Sequence, residues 1–148
     1  MQKIFWFTGQ AGAGKTELAN ALKARINGEQ KIIIIDGDDI RELYNNTDYS
    51  ITGRKENVAF VQKLCTFLIK NEVVPIVCMV SPFSEQRRVF IEQYGGVEIY
   101  VQCNEIRGRE NYHVDYYEKP KQSTRVIEVD TTNKSVTKSF EELWKKLL

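Results

Sequence analysis

Two short stretches of this 148-residue sequence carry residues whose types and spacing can do chemistry. The first is "GQAGAGKT", Gly9 to Thr16, which fits G-x-x-x-x-G-K-[ST] at every fixed position and lies between an apolar run and a helical one. In that setting the backbone N–H groups of Gly9, Gln10, Ala11, Gly12, Ala13 and Gly14 turn inward around phosphate oxygens, and the helix that follows adds the positive end of its dipole. Lys15 reaches the terminal phosphates and Thr16 places a hydroxyl on Mg²⁺. The second is "IIIIDGDDIRE", where four isoleucines run into Asp36, Asp38 and Asp39. Asp36 and Asp38, two apart in an extended segment, project to the same side. One orients Mg²⁺ through water and the other accepts the proton of an attacking hydroxyl; the residues alone leave the order open. Thr16 and Asp36 form the candidate metal pair, and Gly37 lets a backbone or ligand come close. The plainer reading is a helix N-cap, supplied by Asp38 or Asp39.

These stretches need elements to hold them. "KIFWF" reads as strand 1 and "KTELANALKARI" as a helix with Leu18, Ala19, Leu22 and Ile26 on one face. "KIIII" is strand 2, apolar throughout as in a strand covered on both faces. A short helix over "DDIRELYN" and a longer one over "KENVAFVQKLCTFLIKN" follow. "VVPIVCMV" is strand 3, with Pro75 suited only to its start. "SEQRRVFIEQY" is a helix closed by Gly95-Gly96, "VEIYVQ" strand 4, "RVIEVD" strand 5, and "SVTKSFEELWKKLL" a final amphipathic helix. The alternation predicts an α/β domain over residues 1–148: a mostly parallel five-stranded sheet of P-loop kinase type with helices on both faces. Strand 2 is expected beside strand 1, so that the aspartates open onto the phosphate-binding crevice. Residues 103–124 lack a clear element and suit a lid.

Composition excludes other classes. Lys and Arg number 21 against 20 Asp and Glu, which gives no electrostatic footprint for nucleic acid or an anionic membrane. No apolar run approaches the roughly 20 residues of a membrane span, and "MQKIFWFTG" is too short of apolar residues for a secretory segment. Cys65, Cys78 and Cys103 form no C-x-x-C pattern; Cys65 and Cys78, inside apolar stretches, are expected to be buried free thiols of a reduced, cytoplasmic protein. His113 falls in a loop and reads as exposed. "NKSV" puts Val136 where a guanine-reading Asp would stand, and strand 3 runs into Ser81-Pro82 instead of an acidic pair. GTPases and ATPase machines are thereby disfavoured, and a small-molecule kinase using ATP and Mg²⁺ is favoured. Arg107 and Arg109 in the lid either supply charge to the transferring phosphoryl group or are solvated.

The residues also resemble the adenylylsulfate (APS) kinase family. Its G-L-S-G-[AS]-G-K-[ST] is similar to "GQAGAGKT", with Gln10-Ala11 in place of Leu-Ser. D-G-D-N-[VI]-R resembles "DGDDIR", G-F-S-x-x-x-R-x-E-N-[IV] resembles "DYSITGRKENV", I-S-P-[YF] resembles "VSPF", and V-x-D-T resembles "IEVDTT". The resemblance implies transfer of the ATP γ-phosphate to the 3′-hydroxyl of adenosine 5′-phosphosulfate. It makes Arg41 and Arg54 anion clamps for the phosphosulfate, Tyr49 the stacking partner of the purine and Asn57 an acceptor contact. It also makes Ser81, beside Pro82, part of the acceptor pocket and the site of a phosphoserine species. Asp38 sits where it would meet the acceptor hydroxyl. Direct in-line transfer needs no covalent relay, which weighs against Ser81 as nucleophile.

The family's longer lid, with its lysine and later Phe, has no clear counterpart in "CNEIRGRENYHVDYYEKPKQ", and Tyr112, Tyr116 and Tyr117 are candidates for the missing aromatic clamp. Because acceptor identity is read there, a different nucleotide, such as a pyrimidine-based one, or a small alcohol stays open as acceptor. An ATP-binding regulatory protein without transfer is the reading from another class. Family members often form homodimers, which the resemblance allows here.

Overall fold

The computed structural model describes residues 2–26, 28, 30–105 and 112–148. The strands are β1 (Phe5–Thr8), β2 (Lys31–Asp36), β3 (Val73–Cys78), β4 (Val97–Gln102) and β5 (Val126–Asp130). The helices are α1 (Lys15–Arg25), α2 (Gly37–Leu43), α3 (Ile51–Lys70), α4 (Ser84–Tyr94) and α5 (Val136–Leu147). All strand pairs are parallel, and the five make one sheet in the order β2-β3-β1-β4-β5.

Alternation along β1 sorts the core into two layers. Phe5 and Phe7 face Leu18, Leu22, Phe140 and Leu143 of α1 and α5. Ile4 and Trp6 face Val58, Val61 and Cys65 of α3 and Phe90 and Ile91 of α4. Each layer is the period-2 face of a strand meeting the period-3.6 face of a helix, which is what the sheet-with-two-helical-layers expectation requires.

Two expectations are corrected. Strand 2 does not lie beside strand 1: β3 is between them, and β2 is an edge strand with Ile33 44% exposed. An apolar run fits a strand covered on both faces, but it also fits an edge strand whose backbone row is free on one side. Because the sheet is parallel, the C-terminal ends of β1, β3 and β2 still emerge along the same rim, so Asp36 reaches the crevice across β3. Within β3 Pro75 is the third residue and not the start: it pairs with Ile33 of β2, and the β1 ladder begins one residue later, at Phe5 and Ile76, so its missing N–H falls before that ladder.

The second correction is the start of the long helix. It begins at Ile51, four residues before the apolar periodicity suggests, capped by Ser50, whose hydroxyl accepts the Gly53 N–H. Gly53 hides this from the sequence, since glycine is a weak helix former. A Cβ at that position would stand 2.1 Å from the Asp48 carbonyl oxygen, so the tight turn excludes any side chain. Cys65 and Cys78 are buried free thiols, and His113 is exposed, as expected.

Candidate active site

Thr8 ends β1, and the chain then makes the glycine-rich turn. Gly9 has φ 146°, and a Cβ there would lie 2.2 Å from the Val101 carbonyl oxygen of β4. Gly14 caps α1 in the left-handed region, where it has no Cβ to clash. Ala13 is buried, and its carbonyl accepts a 2.6 Å hydrogen bond from Thr131 at the end of β5. That bond gives the "VDTT" stretch a mechanical role: the last strand braces the phosphate cradle from below.

Lys15 Nζ donates to the Gly9 carbonyl at 2.9 Å and the Gln10 carbonyl at 2.8 Å. Burial drives its pKa down to about 8, against the opposing pull of the Asp36 and Asp38 carboxylates. The Cys78 thiol, behind the lysine, is pushed up by burial to about 12 and is neutral. A cationic side chain with so little solvent around it is poised to gain an anionic partner.

Asp36 supplies the helix cap that the sequence placed on Asp38 or Asp39. Its Oδ1 accepts the Asp38 N–H at 2.8 Å, and the Asp36 backbone is extended at the cap position. The residue is thus cap and site residue together. Asp38 and Asp39 are both exposed, and only Asp38 faces the cavity. What comes close to Gly37 is the Met79 side chain, 3.0 Å from a Cβ built there.

A single cavity joins the two halves of the site. Ala11, Gly12, Lys15 and Thr16 line it from the cradle, Asp36 and Asp38 from the end of β2, and Arg41, Tyr49, Arg54 and Asn57 from α2, the following loop and α3. Ser81 and Pro82 close it from the end of β3. Gly9, Gln10, Ala13 and Gly14 shape the cradle without lining this cavity. Arg107 and Arg109 lie outside the described residues.

Arg41 is 7% exposed, its Nη1 fixed by the Asn46 side-chain oxygen and the Asp48 carbonyl, each at 2.9 Å. Its guanidinium carbon lies 4.0 Å from the centre of the Tyr49 ring, and that of Arg54 lies 5.4 Å away. Tyr49 is thus a half-exposed ring within cation–π reach of two guanidinium groups that also line the cavity. Asn57 is almost fully buried. Its Oδ1 accepts from the Tyr44 hydroxyl at 3.0 Å and its Nδ2 donates to the Gly37 carbonyl at 3.3 Å. The amide thus ties α3 to both ends of α2, and the residue also lines the cavity.

The Ser81 hydroxyl is buried, accepts the Trp6 Nε1–H at 2.9 Å and lies 3.2 Å from both Thr8 Oγ1 and the Met79 carbonyl. That arrangement orients the serine without any neighbouring base to activate it. Two further residues, Arg87 and Glu98, carried no signal in the sequence. Arg87, fully buried, donates to Glu98 at 3.0 Å, to the Glu118 carbonyl at 2.6 Å and to the Ser81 carbonyl. Burial raises the Glu98 pKa against the pull of Arg87. Tyr117 is committed through its hydroxyl to Thr8 at 2.9 Å, so among the lid tyrosines it is a structural post and not an aromatic clamp. Tyr116 stacks on Phe83, next to Pro82, with ring centres 5.8 Å apart.

Comparison with known proteins agrees with this geometry. The adenylylsulphate kinase family model matches residues 1–130. An adenylyl-sulfate kinase of Pseudomonas aeruginosa is 36% identical over 94 residues, 62% of this chain and 48% of that protein. A probable adenylyl-sulfate kinase of Archaeoglobus fulgidus is 36% identical over 108 residues, 70% of this chain and 68% of that protein. The chain spans about half the length of most of the curated relatives it matches. In fold it is similar to the Mycobacterium tuberculosis APS kinase in complex with AMPPNP and APS, with TM-score 0.78 and 21% identity over 99% of this chain and 97% of that one. A cradle, a carboxylate pair and a two-arginine pocket at matching motifs, with a family match over most of the sequence, lead to one assignment: the chain belongs to the adenylylsulphate kinase family.

Proposed function

We propose that this protein is an ATP-dependent kinase that transfers the γ-phosphate to the 3′-hydroxyl of adenosine 5′-phosphosulfate, a step of sulfate assimilation in the cytoplasm. The observation that carries the reading is the shared cavity, in which Lys15 and Thr16 face Arg41, Tyr49 and Arg54 across Asp36 and Asp38. Transfer between two nucleotides needs a donor cradle and an acceptor pocket open to each other, with a proton acceptor between them. Residues 1–148 act as one kinase domain in this reading.

The donor set fits Mg²⁺. Thr16 offers a hydroxyl and Asp36 a carboxylate, and the described residues contain no cluster of three or more His, Cys, Asp or Glu that could hold a metal by themselves. Such a sparse set suits an ion that keeps its waters and arrives on the phosphates. When bound, it neutralises phosphate charge and orients the γ-phosphoryl group. Asp36, immobilised by its capping bond, is assigned to that side. Asp38, unencumbered at the helix start, is assigned to the acceptor hydroxyl, whose proton it takes as the phosphorus–oxygen bond forms. Lys15 leaves its carbonyl partners for the phosphates, and Arg41 and Arg54 hold the acceptor's anionic groups with forked geometry. Ser81 is assigned to positioning through its backbone.

The test is a screen with γ-labelled ATP and Mg²⁺ against adenosine 5′-phosphosulfate, pyrimidine nucleotides and small alcohols. Label is expected on adenosine 5′-phosphosulfate. Brisk labelling of another acceptor with none on this one would overturn the assignment, and tight ATP binding without turnover on any acceptor would favour a regulatory nucleotide binder.

A further inference from the structure

Gln10 stands in the phosphate cradle between Gly9 and Ala11, where the family motif commonly has Leu. Its side chain does not face the phosphate cavity. Its Nε2 donates to the Val114 carbonyl at 2.8 Å, and its Oε1 accepts the Val114 N–H at 2.9 Å. This is a reciprocal pair of bonds, like one rung of a ladder, between a cradle residue and a lid residue 104 positions later. The backbone of Gln10 is tied into the cradle at the same time: its carbonyl accepts from Ala13 N–H at 3.2 Å and from Lys15 Nζ at 2.8 Å.

The segment held by Gln10 is itself anchored at the acceptor end. Val114 is buried, Tyr117 meets Thr8 at 2.9 Å, and the Glu118 N–H donates to the Pro82 carbonyl at 2.9 Å. Pro82 lines the acceptor side of the cavity. One continuous path of bonds therefore runs from Lys15 through Gln10 and Val114–Glu118 to the acceptor wall. We infer that Gln10 is a positioning residue that clasps the lid stem to the phosphate cradle, so that occupancy of the cradle is transmitted to the acceptor wall. Phosphates that draw Lys15 off the Gln10 carbonyl act directly on the residue that holds Val114. Coupling of this kind is reciprocal, so acceptor binding changes donor affinity by the same factor. An apolar side chain of the same length cannot form either bond.

The inference rests on the kinase reading for its acceptor arm only. Gln10→Met keeps the length of the side chain and removes both bonds, and Gln10→Leu, the residue common in the family motif, serves as second variant should Met fold poorly. Amide hydrogen exchange at Val114 is followed in the free protein and with the non-hydrolysable donor AMPPNP. In the wild type Val114 is protected and AMPPNP alters the protection; in the variants exchange is faster by roughly tenfold and AMPPNP has no effect on it. With adenosine 5′-phosphosulfate, the variants are expected to raise the acceptor KM roughly tenfold with a smaller change in kcat, a split that a loss of fold stability does not produce. Unchanged Val114 exchange in the variants overturns the clasp. Faster exchange with an unaltered acceptor KM overturns its positioning role. If the wild type phosphorylates no acceptor tested while Val114 still responds to AMPPNP only when Gln10 is present, the kinase reading fails and the clasp stands.

Discussion

Replacing Lys15 by Met should make the nucleotide-free protein more stable at neutral pH, and the gain should vanish in alkali. Lys15 is held down from its ordinary 10.5 to about 8 by burial. A difference of about 2 to 3 in pKa between folded and unfolded chains corresponds to about 3 to 4 kcal/mol. The folded state favours the neutral amine, so below about pH 8 both states carry the proton and the folded state bears the full cost of the buried charge. As pH rises toward 10.5 the folded protein sheds its proton first, the unfolded chain binds more protons, and stability rises. Integrated from about pH 7 to about pH 10, wild type should gain about 2 to 3 kcal/mol relative to Lys15→Met, with titrating groups distant from Lys15 cancelling in the difference. Denaturant unfolding of both proteins across that range, without nucleotide, measures it. Saturating ATP and Mg²⁺ should flatten the wild-type slope, because bound phosphates restore the charged form. Parallel pH profiles of the two proteins without nucleotide would refute the reasoning, and would mean that the two carbonyls bonded to Nζ already compensate the buried charge.

The same cavity yields further outcomes. Asp38→Asn should lower kcat by about 10²–10⁴-fold with little change in ATP affinity, measured by steady-state kinetics. Asp36→Asn should lower kcat and shift the Mg²⁺ dependence to higher concentration, a change that Asp38→Asn does not share. Arg54→Ala should raise the acceptor KM by about ten- to a hundredfold while leaving kcat within a few fold, because it removes one charged hydrogen-bonding partner. Arg87→Met should destabilise the fold by about 3–5 kcal/mol in denaturant titrations, since it strands the buried Glu98 carboxylate, and Arg87→Lys should recover only part of the loss because an ammonium cannot fork to three acceptors.

What the sequence revealed, it revealed through local pattern. The cradle is legible because glycine, lysine and threonine at fixed offsets report a strand-to-helix turn, and the core because apolar periods distinguish strand from helix. Strand order leaves no such trace. The run Ile32–Ile35 is equally apolar at the edge of a sheet or in its middle, and only the long-range pairing of Ile34 with Ile76 and of Phe5 with Ile76 fixes which strand lies between. Asp36 was legible as a site residue but not as the helix cap, because three aspartates within four residues offer the same chemistry and only the backbone turn selects one. The family motifs identified Asn57 as an acceptor contact; it lines the cavity, and what the sequence did not show is that its amide is also bonded to Tyr44 and Gly37.

Ser81 shows how far a conspicuous residue can depend on inconspicuous ones. Its backbone is in the left-handed region, φ 39°, where a residue with a Cβ is strained by roughly 1 kcal/mol or more. The strain persists because the site is over-determined: Trp6 holds the hydroxyl, and Arg87 holds the carbonyl while its other two arms reach Glu98 and Glu118. These partners lie on β1, α4, β4 and the lid stem, so no window of sequence contains the arrangement. Its effect is to turn the chain sharply out of β3 so that Ser81 and Pro82 present their backbone to the cavity, and to fix Glu118 against that turn through its bond to Pro82. A serine placed as an attacking nucleophile would need a mobile hydroxyl and a base. This one has a buried hydroxyl, an indole donor and a guanidinium behind its carbonyl, an arrangement suited to keeping one wall of the pocket still.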